Sequence, residues 1–502
     1  MKHELIAAVD LGSNSFRLIV GRVVGDQIFA LDNLKEPVRL AGGLTPDKQL
    51  DIASQARGLS ALRKFGERLR GFRADEVRAV ATNTLRVAKN AGSFLEQAEQ
   101  ALGFPIEVIS GREEARLIYL GVVHTLPDPG HKQLVFDIGG GSTEFIIGRG
   151  LEPIVLESLY MGCVSYSLKF FPEGRIDKAG LRAAEIAAMR ELETIAHTYR
   201  EVGWELAIAS SGSAKAIAEL LELNHFSQGG ITREGMAQLR QELLRAGNVN
   251  RLTIPGTRAD RLPVLPGGFA IMSAAMEALG LDQVTFCDGA LRQGVLYDLI
   301  GRFSHQDLRD VTVETFMRRH EVDAAQAMRV ANTACKLLVQ AMPAAIDPDH
   351  IDRRFLVWAA RLHELGLSIA HPSYHKHSAY ILANADMPGF SRKDQTRLAC
   401  LALGHRGKLE RVLALQPSET DWLLILCLRV AFILHRTRDD ADAPELLVTG
   451  SRKGFQVSAR AEDLQNRPLT ASMLEEEGIQ WEACGMPVRL RVSRGRAGSR
   501  DA

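Results

Sequence analysis

The chain has 502 residues, 46% of them apolar, and balances 61 Lys and Arg against 61 Asp and Glu for a formal net charge of zero. That length holds several sizeable cores. Zero net charge excludes a global nucleic-acid signature and leaves any polyanion partner to a local basic lining. The six cysteines, at 163, 287, 335, 400, 427 and 484, form no C-x-x-C pair, which fits a reducing cytoplasm.

Met1-Lys2-His3-Glu4 leads straight into an apolar strand, without the apolar core of a signal peptide. Leu5–Val9, Phe16–Val23 and Gln27–Lys35 read as a meander with a turn at Gly25-Asp26. A helix is predicted over Asp47–Arg70, a strand over Val77–Ala81, and a polar loop over Thr82–Arg86. Strand Ile106–Ile109 precedes helix Gly111–Val123, and Leu126-Pro127-Asp128-Pro129-Gly130 marks a domain boundary. The plan then repeats: strands Gln133–Asp137, Glu144–Gly148 and Ile154–Ser158, helix Lys178–Tyr199, strand Leu206–Ala209 with a helix from Ala214, and strand Asp282–Phe286 before a last helix.

From about Arg309 helix follows helix: Val311–Arg319, Ala324–Ala341, Asp352–Leu365, Ser378–Ala385, Lys393–Ala402 and Asp421–His435. Short strand-like runs and a tail, Arg494-Gly-Arg-Ala-Gly-Ser-Arg500, close the chain. The most apolar run, Trp422–Leu434, is too short to span a bilayer and contains Arg429, so it reads as a buried helix. No transmembrane segment and a cytoplasmic location are expected; peripheral association with the inner face of the cell membrane has no motif here and stays open. The expected fold class is α/β: lobe I (1–124), lobe II (125–305) with a site in the cleft between them, an all-α domain (306–437), and a small α+β C-terminal domain (438–502).

One stretch occurs twice. Val9–Arg22 and Phe136–Arg149 align without a gap, matching Asp10 with Asp137, Gly12 with Gly139, Ser15 with Ser142, and Gly21 with Gly148. Each copy is an apolar strand ending in Asp, a tight polar turn, and a second apolar strand. Glycine in such a turn lets backbone N–H groups approach an anion, and an Asp at each strand end can hold hydrated Mg2+ or a water. Arg17 and Glu144 occupy equivalent positions, a cation on one lip and a carboxylate on the other.

Ser110 and Glu113 form a capping box at the start of the Gly111 helix, which leaves Glu114 free of that duty. Glu114 is either a carboxylate favoured by the helix dipole or a group that deprotonates water in a phosphate cleft. Arg86 is either a surface arginine or a bidentate partner for a phosphoryl oxygen. Ser211, Gly212 and Ser213 open a helix as an anion nest facing a nucleotide, or as plain N-capping. In the helical segment, His363, Glu364, His371, His375, His377 and His405 suggest a metal phosphohydrolase of the His-Asp type. A satisfied polar core or a basic lining for a polyanion competes, since Glu364 stands where an Asp is expected.

Asp10-Leu-Gly-Ser-Asn-Ser-Phe-Arg, Ser110-Gly-Arg-Glu-Glu-Ala-Arg, Asp137-Ile-Gly-Gly-Gly-Ser-Thr-Glu and Ser210-Ser-Gly-Ser-Ala-Lys together resemble the exopolyphosphatase/guanosine pentaphosphatase family of bacteria. The resemblance covers essentially the whole chain. It implies two actin-like, ribonuclease H-like lobes, a His-Asp-like third domain and a small fourth domain, and the departure of Glu364 from a His-Asp pair suggests a third domain that no longer catalyses and fits a binding role. It further implies a homodimer, a Mg2+ requirement, K+ stimulation, and removal of the terminal phosphate from linear polyphosphate or guanosine pentaphosphate. By the same resemblance the catalytic set is Glu114, Asp137 and Glu144, with Mg2+ on Asp137 and Glu144. The terminal phosphoryl group is expected between the two turns, on Asp10, Gly12, Ser13, Asn14, Arg17 and Arg86 from one side and Gly139, Gly140, Gly141 and Ser142 from the other. Exopolyphosphatase is the first reading and guanosine pentaphosphate phosphohydrolase the second. A sugar-type kinase or nucleotide-dependent chaperone of the same superfamily is the third; the sequence shows no acceptor motif for it. A non-catalytic polyphosphate sensor is disfavoured by Glu114, Asp137 and Glu144.

Overall fold

The structure is a computed structural model that describes residues 4–24, 27–126, 130–303, 307–439, 443–451 and 454–493. The Gly25-Asp26 turn, the Pro127-Asp128-Pro129 break and the tail from Arg494 to Arg500 lie outside those residues. The chain divides into two compact units, Met1–Asp307 and Leu308–Ala502.

The first unit contains two sheets built to one plan. β1 (Leu5–Leu11), β2 (Phe16–Val24), β3 (Gln27–Glu36), β4 (Val77–Ala81) and β5 (Ile106–Val108) stand in the order β3-β2-β1-β4-β5. β6 (Lys132–Ile138), β7 (Thr143–Arg149), β8 (Glu152–Leu159), β9 (Leu206–Ser210), β10 (Ile231–Thr232) and β11 (Gln283–Phe286) stand in the order β10-β11-β9-β6-β7-β8. Each sheet starts as an antiparallel meander and then adds two strands parallel to its first. The register slips at Val20/Gly21 in one meander and at Ile147/Gly148 in the other, so the repeated glycine marks the same bulge twice. These are the two actin-like lobes expected from the sequence.

β1 is buried on both faces. Ala7 and Val9 enter one apolar cluster with Phe65 and Phe94, while Ile6 and Ala8 enter another with Val135 and Ile208 of the second sheet. That double burial is why its apolar residues run on without alternating. The first unit's helices are α1 (Ile52–Arg68), α2 (Asn83–Val87), α3 (Ala91–Leu102), α4 (Gly111–Val123), α5 (Cys163–Phe170), α6 (Lys178–Val202), α7 (Ser211–Leu223), α8 (Arg233–Ala246), α9 (Leu265–Leu279) and α10 (Leu291–Phe303). α1 starts later than Asp47 because Asp51 caps it, accepting from Ser54 N at 2.6 Å. Thr82–Arg86, read as a loop, winds largely into α2. Leu262–Leu279, which includes α9, is long and apolar enough to cross a membrane, yet 67% of it is buried inside the fold, as suits a core helix.

The second unit comprises α11 (Leu308–Arg319), α12 (Ala324–Ala341), α13 (Ile351–Leu362), α14 (Tyr374–Asn384), α15 (Arg392–Gly404) and α16 (Glu419–Leu434). A three-stranded sheet of β12 (Leu446–Ser451), β13 (Gly454–Arg460) and β14 (Val488–Ser493), with α17 (Ala461–Gln465) and α18 (Pro468–Glu482), completes it. The C-terminal segment, expected as a domain of its own, shares the helices' core: Val448, Phe455 and Trp481 belong to one cluster with Leu338, Trp358, Leu401 and Leu424. Trp422–Leu434 is the buried helix that was expected.

Candidate active site

A cavity of about 350 Å³ opens where the parallel strands of both sheets end, the place where open α/β sheets receive ligands. Asp10 tips β1 and Asp137 tips β6, and strand register sets Arg17 directly opposite the first and Glu144 directly opposite the second. A Cβ on Gly12 or on Gly139 would stand 2.9 Å from the carbonyl oxygen of Ser15 or Ser142, so both copies need glycine for one reason. The two turns also touch. A Cβ on Gly140 would lie 2.9 Å from the Ser13 Cβ, and one on Gly141 would lie 2.4 Å from Asn83 Oδ1. Ser13 is held from below by the Thr84 hydroxyl, which donates to its Oγ at 2.7 Å. The turn carbonyls are occupied: Ser13 O and Asn14 O accept from Ala41 and Arg39, and Gly139 O and Gly140 O from Cys163 and Val164.

Three buried carboxyl groups, those of Glu114, Asp137 and Glu144, meet the half-buried Asp10 at this end. Glu114 is pushed up to about 7 by burial, against the pull of Arg86 and with the Asp10 carboxylate adding to the rise. Asp10 rises to about 6, again by burial first, against the guanidiniums of Arg292 and Arg17, and its Oδ1 has no hydrogen-bond partner. Burial also raises Asp137, whose Oδ2 accepts from the Ser210 hydroxyl at 2.5 Å. Burial holds Glu144 well above the usual carboxylate range, with the Glu114 carboxylate adding to the rise. Its carboxylate accepts from Ser158 at 2.8 Å, and it stands behind the cavity wall that Asp10, Glu114 and Asp137 line.

Other expected residues are placed as follows. Gly12, Ser13, Asn14, Arg17, Gly139, Gly140 and Ser142 line the cavity. Gly141 packs on Asn83 instead. Arg86 donates to Ile109 O at 2.9 Å and to Glu114 at 3.2 Å, so it grips the catalytic candidate rather than lining the wall. Ser211, Gly212 and Ser213 form one rim; Ser211 has φ 90°, a strained value for a residue with a Cβ. Glu113 does not spend itself on the cap. Its carboxylate receives two N–H groups of Arg116 at 2.8 Å, because a guanidinium fork inside the fold outcompetes a single amide.

Sequence reasoning missed Lys35, Arg258, Arg261 and Arg292, which with Arg17 and Lys215 give the cavity six cations. Arg261 lies so close on Gly212 that a Cβ there would stand 2.0 Å from its Nη2. The signal for Arg292 was present, since Asp288-Gly289-Ala290-Leu291-Arg292 follows a parallel strand as the other site loops do.

In the second unit His363, His375 and His405 are buried together. His363 and His405 each bond a backbone carbonyl through Nδ1 at 2.7 and 2.6 Å, and their rings are 4.9 Å apart. Arg438 donates to Glu364, putting a guanidinium on the carboxylate that a metal would need. Among the described residues no group of three or more His, Cys, Asp or Glu side chains is arranged to hold a metal ion.

Two family descriptions match the chain: the Ppx/GppA phosphatase family over residues 19–303, and Ppx/GppA phosphatase domain III over residues 308–478. A guanosine-5'-triphosphate,3'-diphosphate pyrophosphatase of Aeromonas hydrophila is 36% identical over 494 residues, covering 97% of this chain and 98% of that one. The crystal structure of an exopolyphosphatase from Cytophaga hutchinsonii superposes with a TM-score of 0.54 at 26% identity, over 59% of this chain and 98% of that one. An Aquifex aeolicus member of the Ppx/GppA family gives 0.50 at 24% identity over 60% and 99%, a likeness of fold. With these matches spanning both units, the chain belongs to the Ppx/GppA phosphatase family and is a phosphoanhydride hydrolase.

Proposed function

We propose that the chain removes the terminal phosphate from linear polyphosphate, with the 5' phosphate of guanosine pentaphosphate as a second substrate. The observation that carries this is one cavity lined by the carboxyl groups of Asp10, Glu114 and Asp137 and by six cations, a lining matched to a run of phosphates rather than to one. The second substrate is favoured by the full-length relative named for it.

In this reading the terminal phosphoryl group lies between the Asp10 and Asp137 turns. Glu114 takes a proton from water, the water oxygen bonds phosphorus, the bridging P–O bond breaks, and the shortened chain leaves with the electron pair. A carboxyl with its pKa near 7 suits a base working at neutral pH. Arg86 holds that carboxylate in place, and most of the rate comes from aligning water and stabilising phosphoryl charge.

The donor chemistry fits Mg2+. Hard carboxylate oxygens, an unpartnered Asp10 Oδ1 and no three-ligand cage among the described residues suit an ion that takes one or two carboxylates and keeps its waters and substrate oxygens. Asp137 and Asp10 would hold it, with Glu144 supporting from behind; when bound it supplies positive charge beside the phosphoryl oxygens. Phosphate release from long polyphosphate, guanosine pentaphosphate and ATP, measured in parallel with and without Mg2+, tests the proposal. Release from polyphosphate or guanosine pentaphosphate well above release from ATP is expected; no release from either would overturn it.

A further inference from the structure

The duplication extends to the third parallel strand of each sheet. β5 ends at Val108 and β11 at Phe286, and each runs through a short turn into a helix, α4 or α10. Strand register sets Ile106 of β5 where Phe286 of β11 stands, so α4 and α10 both start five residues on, and Arg292 matches Arg112 while Glu114 matches Gly294. Glu114 and Arg292 both line the cavity, one from each of these paired helices.

Arg292 is only 9% exposed, and its Nε finds no hydrogen-bond partner. A buried guanidinium with an open donor is costly unless a ligand completes it, and its planar fork matches phosphoryl oxygens. Its helix is fixed against the helix of Glu114. A Cβ on Gly294 would lie 1.7 Å from Leu117 O and one on Gly121 2.1 Å from Ala290 O, so the two backbones touch. Asp298 of α10 accepts from Arg116 of α4 and, at 2.7 Å, from Arg78 of β4. His124 and Tyr297 stack across the pair at 3.8 Å.

We propose that Arg292 is a catalytic residue that grips the terminal phosphoryl oxygens opposite Glu114, the α4–α10 crossing holding acid–base group and cation at a set separation. This rests on the hydrolase reading above. The test uses the full chain with polyphosphate and Mg2+, comparing wild type, Arg292→Ala and Arg292→Lys for kcat, KM, melting temperature and rescue by added guanidinium. Removal of the residue is expected to lower kcat by about 100-fold or more with a smaller change in KM. Lysine should restore little of it, for want of the fork, and guanidinium should return part of the Arg292→Ala rate while the melting temperature stays at the wild-type value. An Arg292→Ala enzyme within about threefold of wild-type kcat overturns the inference, and so does a loss that guanidinium leaves untouched and that tracks a fall in melting temperature. A wild-type chain that releases no phosphate from polyphosphate or from guanosine pentaphosphate sinks the hydrolase reading itself, and this inference with it.

Discussion

Replacing Glu114 by Gln keeps the side chain's shape and an oxygen for Arg86, and removes only the proton acceptor. As the base, Glu114 accounts for about 100- to 10,000-fold of the rate, so Glu114→Gln is expected to lose turnover in that range while still binding substrate. With a pKa of about 7, roughly a tenth of wild-type Glu114 is ionised at pH 6 and roughly nine-tenths at pH 8. Wild-type kcat/KM should therefore rise about tenfold per pH unit below 7 and level off above it, a limb the variant lacks. The same span from 4.5 to about 7 has a stability consequence of about 3 kcal/mol. The folded state binds this proton more tightly than the unfolded one, so the contribution is fully present below 4.5 and lost as pH rises through 7. Gln does not titrate, so the variant's melting temperature should gain on wild type across that window. Phosphate release and thermal melting between pH 5 and 9 measure both effects. A variant within tenfold of wild-type turnover, or one retaining the acidic limb, would show that Glu114 is not the base.

Gly140→Ala places a Cβ 2.9 Å from that of Ser13; prising the turns apart should lower kcat at least tenfold and stability by about 1–3 kcal/mol, read by steady-state kinetics and melting. Arg438→Ala leaves the Glu364 carboxylate, 2% exposed, without its guanidinium, and should cost about 2 kcal/mol in denaturant unfolding, whereas Arg438→Lys should cost less. Chelating divalent ions with EDTA should bring polyphosphate hydrolysis to background, and excess Mg2+ should restore it.

The duplicated stretch was legible because its residues are fixed locally: strand, aspartate, tight turn, strand. The periodic helices were legible too, Ala324–Ala341 to the residue. What the sequence hid was set by distant partners. Glu113 read as a cap, but Arg116 one turn along α4 takes its carboxylate, and Arg78 comes within 3.7 Å of it once β4 and α4 are packed together. Arg86 read as a phosphate ligand, but the fold turns it onto Glu114 and Ile109. Arg258 and Arg261 lie in an irregular segment with no period to read, and only the folded second lobe delivers them to the cavity.

The meeting of Gly140 and Gly141 with Ser13 and Asn83 carries one more implication. Where those turns abut, no phosphate fits between them. On the proposed reading a polymer could not be threaded between the turns past the water-activating group, and trimming from an extremity would follow from a wall rather than from any affinity for chain ends.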